Sequence, residues 1–435
     1  MKASFHNLGC KVNSYETESM QQLLVAAGYE IVPFEEEADV CIINTCSVTN
    51  IADRKSRQMI HKAKKISPDA IIVATGCYAQ MFSEDVVKDG FADIIIGNNN
   101  KNSLVRLIEE YKKSMEEPIV AVEDLSHGCE YENMISTETV EHTRAFIKIQ
   151  DGCNQFCSYC IIPFARGRIR SRDMEDIISE AGALGEAGYK ELVLTGINLS
   201  AYGIDCGSSL IEVIENIAAI PEIKRIRISS LEPGIITEEF LTRLKKVDKI
   251  CPHFHLSLQS GCDSVLSRMN RHYTTGEYYE KCEMIRKVFE LPAITTDIIT
   301  GFPGETEEEF ATTLDFVKRC NIYETHIFKF SRRKGTKADK MPGQLTDKVK
   351  SERSTRLSAV AKDNTYGFME ANIGRRVSVL LEEEVTLGGG RYLIGFTKEY
   401  VKVGVAAECG ALPGDILEGT IKGFINKDTM LLEEI

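Results

Sequence analysis

Between Ala145 and Ser331, β-prone runs alternate with helical patterns, and that alternation constrains the fold more than any other feature. The runs are Ala145–Gln150, Glu191–Gly196, Ile223–Ser230, His253–Gln259, Ala293–Gly301 and Ile322–Ser331, separated by helical segments such as Asp173–Gly185 and Thr306–Cys320. Strand–helix units in series imply a parallel sheet covered by its helices, and six of them fit an open (β/α)6 partial barrel better than a closed eight-unit one. The first 118 residues show the same pattern on a smaller scale. Short apolar runs at Ser4–Leu8, Tyr29–Phe34, Asp39–Asn44, Ala70–Thr75 and Ala92–Gly97 predict an α/β domain with a parallel sheet over residues 1–118. A polar, irregular stretch predicts a linker over 119–144, followed by the partial barrel over 145–364. Beyond it, Arg375–Val385, Arg391–Thr397, Tyr400–Ala407 and Asp415–Ile421, with a turn at Gly388–Gly390, predict a small β-barrel over 365–435. At about 150 residues per domain, two to three domains are expected in a chain of 435 residues.

Charge narrows the function. Lys and Arg number 52 against 65 Asp and Glu, a net charge of −13, which excludes a uniformly basic nucleic-acid binder and leaves room for local basic patches. No apolar run approaches the roughly 18 residues of a membrane helix. The start, MKASFHNLGC, has no apolar core of a secretory leader. A cytoplasmic protein with no membrane partner is expected, its 14 cysteines held as thiols or metal ligands rather than disulfides.

Cys153, Cys157 and Cys160 form a C-x3-C-x2-C pattern. The same offsets describe one face of a helix, and buried cysteines are common. Context favours a loop. The triplet follows the strand AFIKIQ, opens with the turn pair Asp151-Gly152, is spaced by polar residues, and is closed by Pro163. Three thiolates on a loop can grip three irons of a cubane cluster; the missing fourth ligand points to chemistry at the exposed iron.

A second trio, Cys10, Cys46 and Cys77, is spread along the chain, but each member follows a predicted strand: FHNLGC, CIINTC and IIVATGC. Parallel strands place their carboxyl ends along one edge, where ligands bind. A second three-cysteine cluster is the inference, against a reading of three unrelated buried thiols; Cys41, inside a strand, reads as core.

The middle triplet, with Tyr159 in its aromatic slot, resembles the radical S-adenosylmethionine (SAM) superfamily, which uses a six-unit partial barrel. That resemblance implies a 4Fe–4S cluster whose open iron binds SAM. Gly196, Asn198, Ser230, Glu232 and Gln259 lie at strand ends, where such barrels bind ligands, although Ser, Asn and Gln there also serve as local backbone caps. The turn in TDIITGFPGETEEEF, Thr296–Phe310, lets backbone approach a nucleoside or is a tight connection. Two trios in this order resemble the methylthiotransferases, which join a three-cysteine domain to a radical SAM barrel and a C-terminal RNA-binding barrel called TRAM. GCKVNSYE, INTCSVTNIADRKSRQ and DGCNQFCSYCIIPFARGRIRSR carry the likeness, and GCKVN and RKSRQ are most similar to the branch acting on threonylcarbamoyladenosine in tRNA. The resemblance implies two 4Fe–4S clusters and SAM. On that resemblance the catalytic cluster, on Cys153, Cys157 and Cys160, would cleave SAM, and that on Cys10, Cys46 and Cys77 would carry sulfur to the adenine 2-carbon. It implies tRNA as partner, with a one-electron donor such as flavodoxin or ferredoxin. Alternatives are the same chemistry on isopentenyladenosine tRNA or a ribosomal-protein aspartate, and a non-catalytic RNA-binding protein with cysteine-bound zinc.

Two basic clusters follow strand ends. Arg166, Arg168, Arg170 and Arg172 alternate after the cluster loop, and Lys329, Arg332, Arg333, Lys334 and Lys337 follow the sixth strand. Charge runs are usually solvated surface, but arginines concentrated near the site of an acidic protein suit a phosphate backbone. An extended Arg166–Arg172 segment would present one RNA-facing edge. The C-terminal region is acidic, with 7 Lys and Arg against 11 Asp and Glu from Tyr366 onward. Arg375, Arg376, Lys398 and Lys402 are its candidate basic strip, and Tyr392, Phe396 and Tyr400 are either stacking platforms or barrel core.

Overall fold

The computed structural model describes residues 1–114, 116–137 and 143–434. Strands β1 (Lys2–Asn7), β2 (Glu30–Val32), β3 (Val40–Thr45), β4 (Ile71–Gly76), β5 (Ile94–Ile96) and β6 (Ile119–Ala121) form an all-parallel sheet in the order β2-β1-β3-β4-β5-β6. Helices Lys11–Ala26, Asn50–Ile66, Cys77–Met81 and Leu104–Ser114 lie between them. β3 and β4 are buried along their whole length, as covering a parallel sheet on both faces requires, and this explains their near-continuous apolar runs.

The expected linker is corrected. β6, inside it, pairs with β5 and completes the sheet. Beyond β6, Leu125 and Met134 are buried, the Tyr15 hydroxyl donates to the Met134 carbonyl at 2.5 Å, and Tyr131 donates to the Lys148 carbonyl at 2.7 Å. The polar composition that suggested a linker supplies hydrogen bonds to buried backbone instead. Residues 138–142 of that stretch lie outside the described residues.

Next come β7 (Ala145–Asp151), the short β8 (Arg170–Ser171), β9 (Glu191–Gly196), β10 (Arg225–Ile228), β11 (His253–His255), β12 (Ala293–Thr300) and β13 (Glu324–Lys329). β7, β9 and β10 are parallel neighbours, as are β11, β12 and β13, and the bridges Ile226–Ile250 and Leu231–Leu256 join the halves. β8 pairs antiparallel to the outer edge of β7. Among the described residues β7 and β13 share no ladder, so the expected six-strand partial barrel is open. Its two faces differ. Ile147, Ile149, Leu192, Leu194, Ile226, Ile294 and Ile298 join one core with the covering helices, whereas the alternate positions Lys148, Gln150, Glu191, Arg225, Arg227, His253 and Asp297 make a polar interior.

Helix Asp347–Glu370 runs through the expected boundary at 364/365. Its Leu357 belongs to the barrel core and its Phe368 and Met369 to the C-terminal core. The C-terminal strands β14 (Arg376–Leu387), β15 (Gly390–Thr397), β16 (Lys402–Ala406), β17 (Ile416–Asn426) and β18 (Thr429–Glu434) close a barrel in the order β14-β15-β16-β18-β17. The sequence reading missed β18. The turn after β15 docks under the partial barrel. The Tyr400 ring stacks on His253 at 4.9 Å, Arg227 and Arg144 lie over it at 4.8 and 5.2 Å, and Arg227 donates to the Thr397 and Lys398 carbonyls. Phe396 stacks on Tyr400 at 4.5 Å, so neither ring is a free platform for bases. No helix among the described residues is long and apolar enough to cross a membrane.

Candidate iron–sulfur and nucleoside site

The first trio sits where adjacent strands end. Cys10 caps helix Lys11–Ala26 beyond β1, Cys46 directly follows β3, and Cys77 directly follows β4. Two glycines allow this convergence. Gly9 has φ +116°, and a Cβ there would lie 3.1 Å from the Cys46 Cβ and Sγ; Gly76 has φ +91°, and its Cβ would lie 2.4 Å from the Thr45 carbonyl. The Asn13 amide ties the arrangement together, donating to the Leu8 carbonyl at 2.7 Å and the Thr45 carbonyl at 3.1 Å. The Asn98 amide reaches the Cys77 Sγ at 3.6 Å. Cys10 reaches the surface, whereas Cys46 and Cys77 are buried. Burial pushes the Cys46 thiol up to about 12, and neighbouring Cys77 adds to the push.

Beneath this trio lies a buried ion network. Lys101, Lys148 and Arg166 contact Glu16, and Lys148, Arg166 and Arg170 contact Asp151. Four cationic side chains thus share two carboxylates, an excess of positive charge that an anionic group among the thiols would balance. The donor set and this charge fit a thiolate-bound iron–sulfur cluster.

The middle trio is local. Gly152, at φ +72°, turns the chain so tightly that a Cβ would fall 1.8 Å from the Arg168 carbonyl, and Phe156 also has positive φ, at 46°. The segment is a loop and not a helix face. The Cys153 N–H donates to the Gly167 carbonyl at 3.0 Å and the Cys160 N–H to the Cys157 carbonyl at 2.9 Å. Burial pushes the Cys153 and Cys160 thiols up, with Cys157 adding to both. Arg271 donates to the Cys157 Sγ at 3.2 Å and pairs with Glu232. No motif marked Arg271 in the sequence, because its contacts span distant segments.

The predicted rim residues divide. Tyr159 and Gln259 line a cavity of about 220 Å³ together with Cys160, Ile161, Asp297 and Phe328, and Val48 and Thr49 from the loop after Cys46 close its other side. Asn198 is buried; its N–H donates to Gln150 Oε1 at 2.7 Å, its amide lies 3.9 Å from the Cys153 Sγ, and its Oδ1 has no partner among the described residues. At Gly196 a Cβ would sit tightly, 3.0 Å from Leu199 and 3.1 Å from Gln150. Glu232 is held by Arg271. Ser230 is exposed, whereas Ser229 is buried and continues the alternation of Arg225 and Arg227, so the lumen-facing serine is one residue earlier than expected.

Residues 2–97 match the family described as Uncharacterized protein family UPF0004, and residues 147–317 match the Radical SAM superfamily. The chain is 41% identical to the threonylcarbamoyladenosine tRNA methylthiotransferase MtaB of Bacillus subtilis (strain 168), over 92% of this chain and 89% of that protein. It is 40% identical to the protein of the same name from Aquifex aeolicus (strain VF5), over 93% and 98%. The chain belongs to the radical SAM methylthiotransferases. Its identity to the tRNA-2-methylthio-N(6)-dimethylallyladenosine synthase of Moorella thermoacetica is 38%, over 86% of this chain and 85% of that one. Among solved structures, the fold is similar to that of a radical SAM methyltransferase, TsrM, from Kitasatospora setae. The TM-score is 0.59 at 14% identity, covering 78% of this chain and 77% of that one. Membership in the radical SAM superfamily brings SAM and a 4Fe–4S cluster as cofactors.

In this methylthiotransferase the basic clusters are not what their spacing suggested. Arg166, Arg170 and Arg172 are buried. Arg166 binds Glu16 and Asp151, Arg170 lies 3.5 Å from Asp151, and Arg172 pairs with Glu180. Three of the four therefore present no face to phosphates, because buried carboxylates from other elements meet them. Arg168 alone is exposed, its guanidinium 4.7 Å over the Phe156 ring. Arg333 is likewise buried, joining the barrel to the first domain through Asp53 at 2.6 Å, Asn50 at 2.7 Å and Ser47 at 2.9 Å. Arg332 and Lys334 stay exposed, Arg332 with Asp339 at 3.0 Å.

Proposed function

We propose that this chain converts threonylcarbamoyladenosine in tRNA to its 2-methylthio derivative, using a second 4Fe–4S cluster on Cys10, Cys46 and Cys77 beside the one on Cys153, Cys157 and Cys160. The observation that carries this reading is the cavity wall: Cys160 of the middle trio and its neighbour Tyr159 line it together with Val48 and Thr49, which follow Cys46. A nucleoside seated there would touch the surroundings of both centres at once.

When bound, the middle cluster with SAM supplies the one-electron chemistry that opens the adenine 2-carbon C–H bond, which no acid–base side chain deprotonates at neutral pH. The protein's own part is positioning and exclusion of water. Ile161, Ile162, Phe328 and Phe330 give the cavity apolar walls, and Gln259 and Asp297 offer it hydrogen-bonding groups. Asn198 and Arg271 hold Cys153 and Cys157 in place, while Gly196 leaves backbone bare at the rim. Exposed Arg168, Lys329, Arg332, Lys334 and Lys337 are the members of the two basic clusters left to meet tRNA phosphates. A cytoplasmic location and a one-electron donor of the flavodoxin or ferredoxin kind belong to this reading.

Mass spectrometry of tRNA nucleosides from cells with and without the gene tests it. Loss of 2-methylthio-threonylcarbamoyladenosine alone supports the reading. Loss of the dimethylallyladenosine derivative instead would move this chain to the neighbouring branch.

A further inference from the structure

The segment 165–167 touches both cysteine trios. The Ala165 carbonyl accepts from the Asn98 amide at 2.8 Å, the same amide that reaches the Cys77 Sγ. The Gly167 carbonyl accepts from the Cys153 N–H. Between them Arg166 is fully buried. One Nη donates to Asn13 Oδ1 at 2.7 Å; the other donates to Glu16 at 2.8 Å and to Asp151 at 3.2 and 3.3 Å. Asn13 holds the carbonyls of Leu8 and Thr45, which lead into Cys10 and Cys46, and Asp151 holds the N–H of Gly152, which leads into Cys153. One guanidinium therefore braces the backbone of both centres.

Its charge is placed unequally. Arg166 belongs to the buried network beneath the first trio, where cations exceed carboxylates. The middle trio has its own cation, Arg271, against Cys157.

We propose that Arg166 is a positioning residue that sets the reduction potential of the group held by Cys10, Cys46 and Cys77. The inference rests on the two-centre reading above. Reduction adds negative charge to that group, and a fixed cation beside it in a poorly solvated site favours the reduced form.

The test is a dithionite titration of the anaerobically reconstituted full-length enzyme, followed by electron paramagnetic resonance with and without SAM. The SAM-sensitive signal reports the middle trio and the SAM-insensitive signal the first. Arg166→Gln is expected to move the SAM-insensitive midpoint to lower potential, with a smaller shift in the other, and Arg166→Lys to restore it. Glu16→Gln, which removes a carboxylate facing Arg166, should move the same midpoint upward. If Arg166→Gln loses iron, the Glu16→Gln and Arg166→Lys midpoints decide by the same signs. An unmoved midpoint with iron retained overturns the proposal. Shifts of the same sign in Arg166→Gln and Glu16→Gln also overturn it, since removing opposite charges beside one group must move its potential in opposite directions. Absence of any SAM-insensitive cluster signal in the unaltered enzyme overturns the two-centre reading itself, and this proposal with it.

Discussion

The two cysteine trios reach similar ends by opposite construction. Cys153, Cys157 and Cys160 lie on one loop, shaped by positive φ at Gly152 and Phe156 and by hydrogen bonds within its own neighbourhood. Cys10, Cys46 and Cys77 come from three adjacent strands, so their meeting depends on the register of β1, β3 and β4 and on the ion network beneath them. A local site is legible and robust to distant change. A distributed site is as sound as the sheet and the interface that assemble it.

The largest expected effects separate the trios by function. Cys157→Ala should abolish SAM cleavage and leave about half of the iron, since each trio would hold one cluster. Cys46→Ala should keep SAM cleavage and lose the methylthio product. Iron content and 5′-deoxyadenosine formation are the measurements, and loss of SAM cleavage in Cys46→Ala with the middle cluster intact would break the division.

Glycine substitutions sharpen the contrast in construction. At Gly152 a Cβ would fall 1.8 Å from backbone, whereas at Gly9 it would meet Cys46 at 3.1 Å. Gly152→Ala should therefore destabilise by about 3 kcal/mol and lose the middle cluster. Gly9→Ala should cost about 1–2 kcal/mol and loosen the first. Thermal unfolding with iron analysis distinguishes the two, and a milder effect at Gly152 would contradict the loop geometry.

The arginines test which cations belong to the fold. Arg170→Gln should lower stability by about 1–3 kcal/mol, because the buried Arg166 carbonyl loses the Arg170 donor that lies 2.8 Å from it. Arg168→Gln with Lys334→Gln should leave unfolding unchanged but weaken tRNA binding, reducing the salt slope by about one unit per lost phosphate contact. Equal loss of affinity in the Arg170 variant, at temperatures where it is folded, would return that residue to the RNA surface.

The smallest effect concerns acid. Ser158 of the middle loop donates to the Arg268 carbonyl at 2.8 Å, and Arg268 pairs with Glu309 at 2.7 Å. The Arg268 hydrogen bonds hold the Glu309 carboxyl down at about 2. A depressed carboxyl stabilises the fold above its unfolded value of about 4.3, and that contribution is lost as pH falls toward the folded value. Glu309→Gln should thus cost about 1 kcal/mol at neutral pH, allowing for solvent screening of a partly exposed pair, and the deficit should vanish between about pH 4 and 2. Denaturant unfolding across that range is the measurement; a deficit that persists at pH 2 would assign the loss to packing.

Apolar periodicity located five of the six strands of the first sheet and all six parallel strands of the partial barrel, because period and turn chemistry are local properties. The positions of Cys10, Cys46 and Cys77 after strands sufficed to bring them to one edge, since parallel strands end together. What local pattern could not reveal is what covers a face. The alternation of Arg166, Arg168, Arg170 and Arg172 implies one edge open to solvent, but Glu16 from the first domain, Asp151 before the loop and Glu180 from a barrel helix bury three of them. The same holds for Arg333 against Asp53, for Tyr400 against His253, and for β6, whose short run pairs because β5 offers an unfilled edge. The order of elements and the placing of each cysteine after a strand follow from local pattern; which cations stay at the surface and which are buried follows from the fold, because the carboxylates that cover them come from other elements, Glu16 from the first domain and Glu180 from a barrel helix.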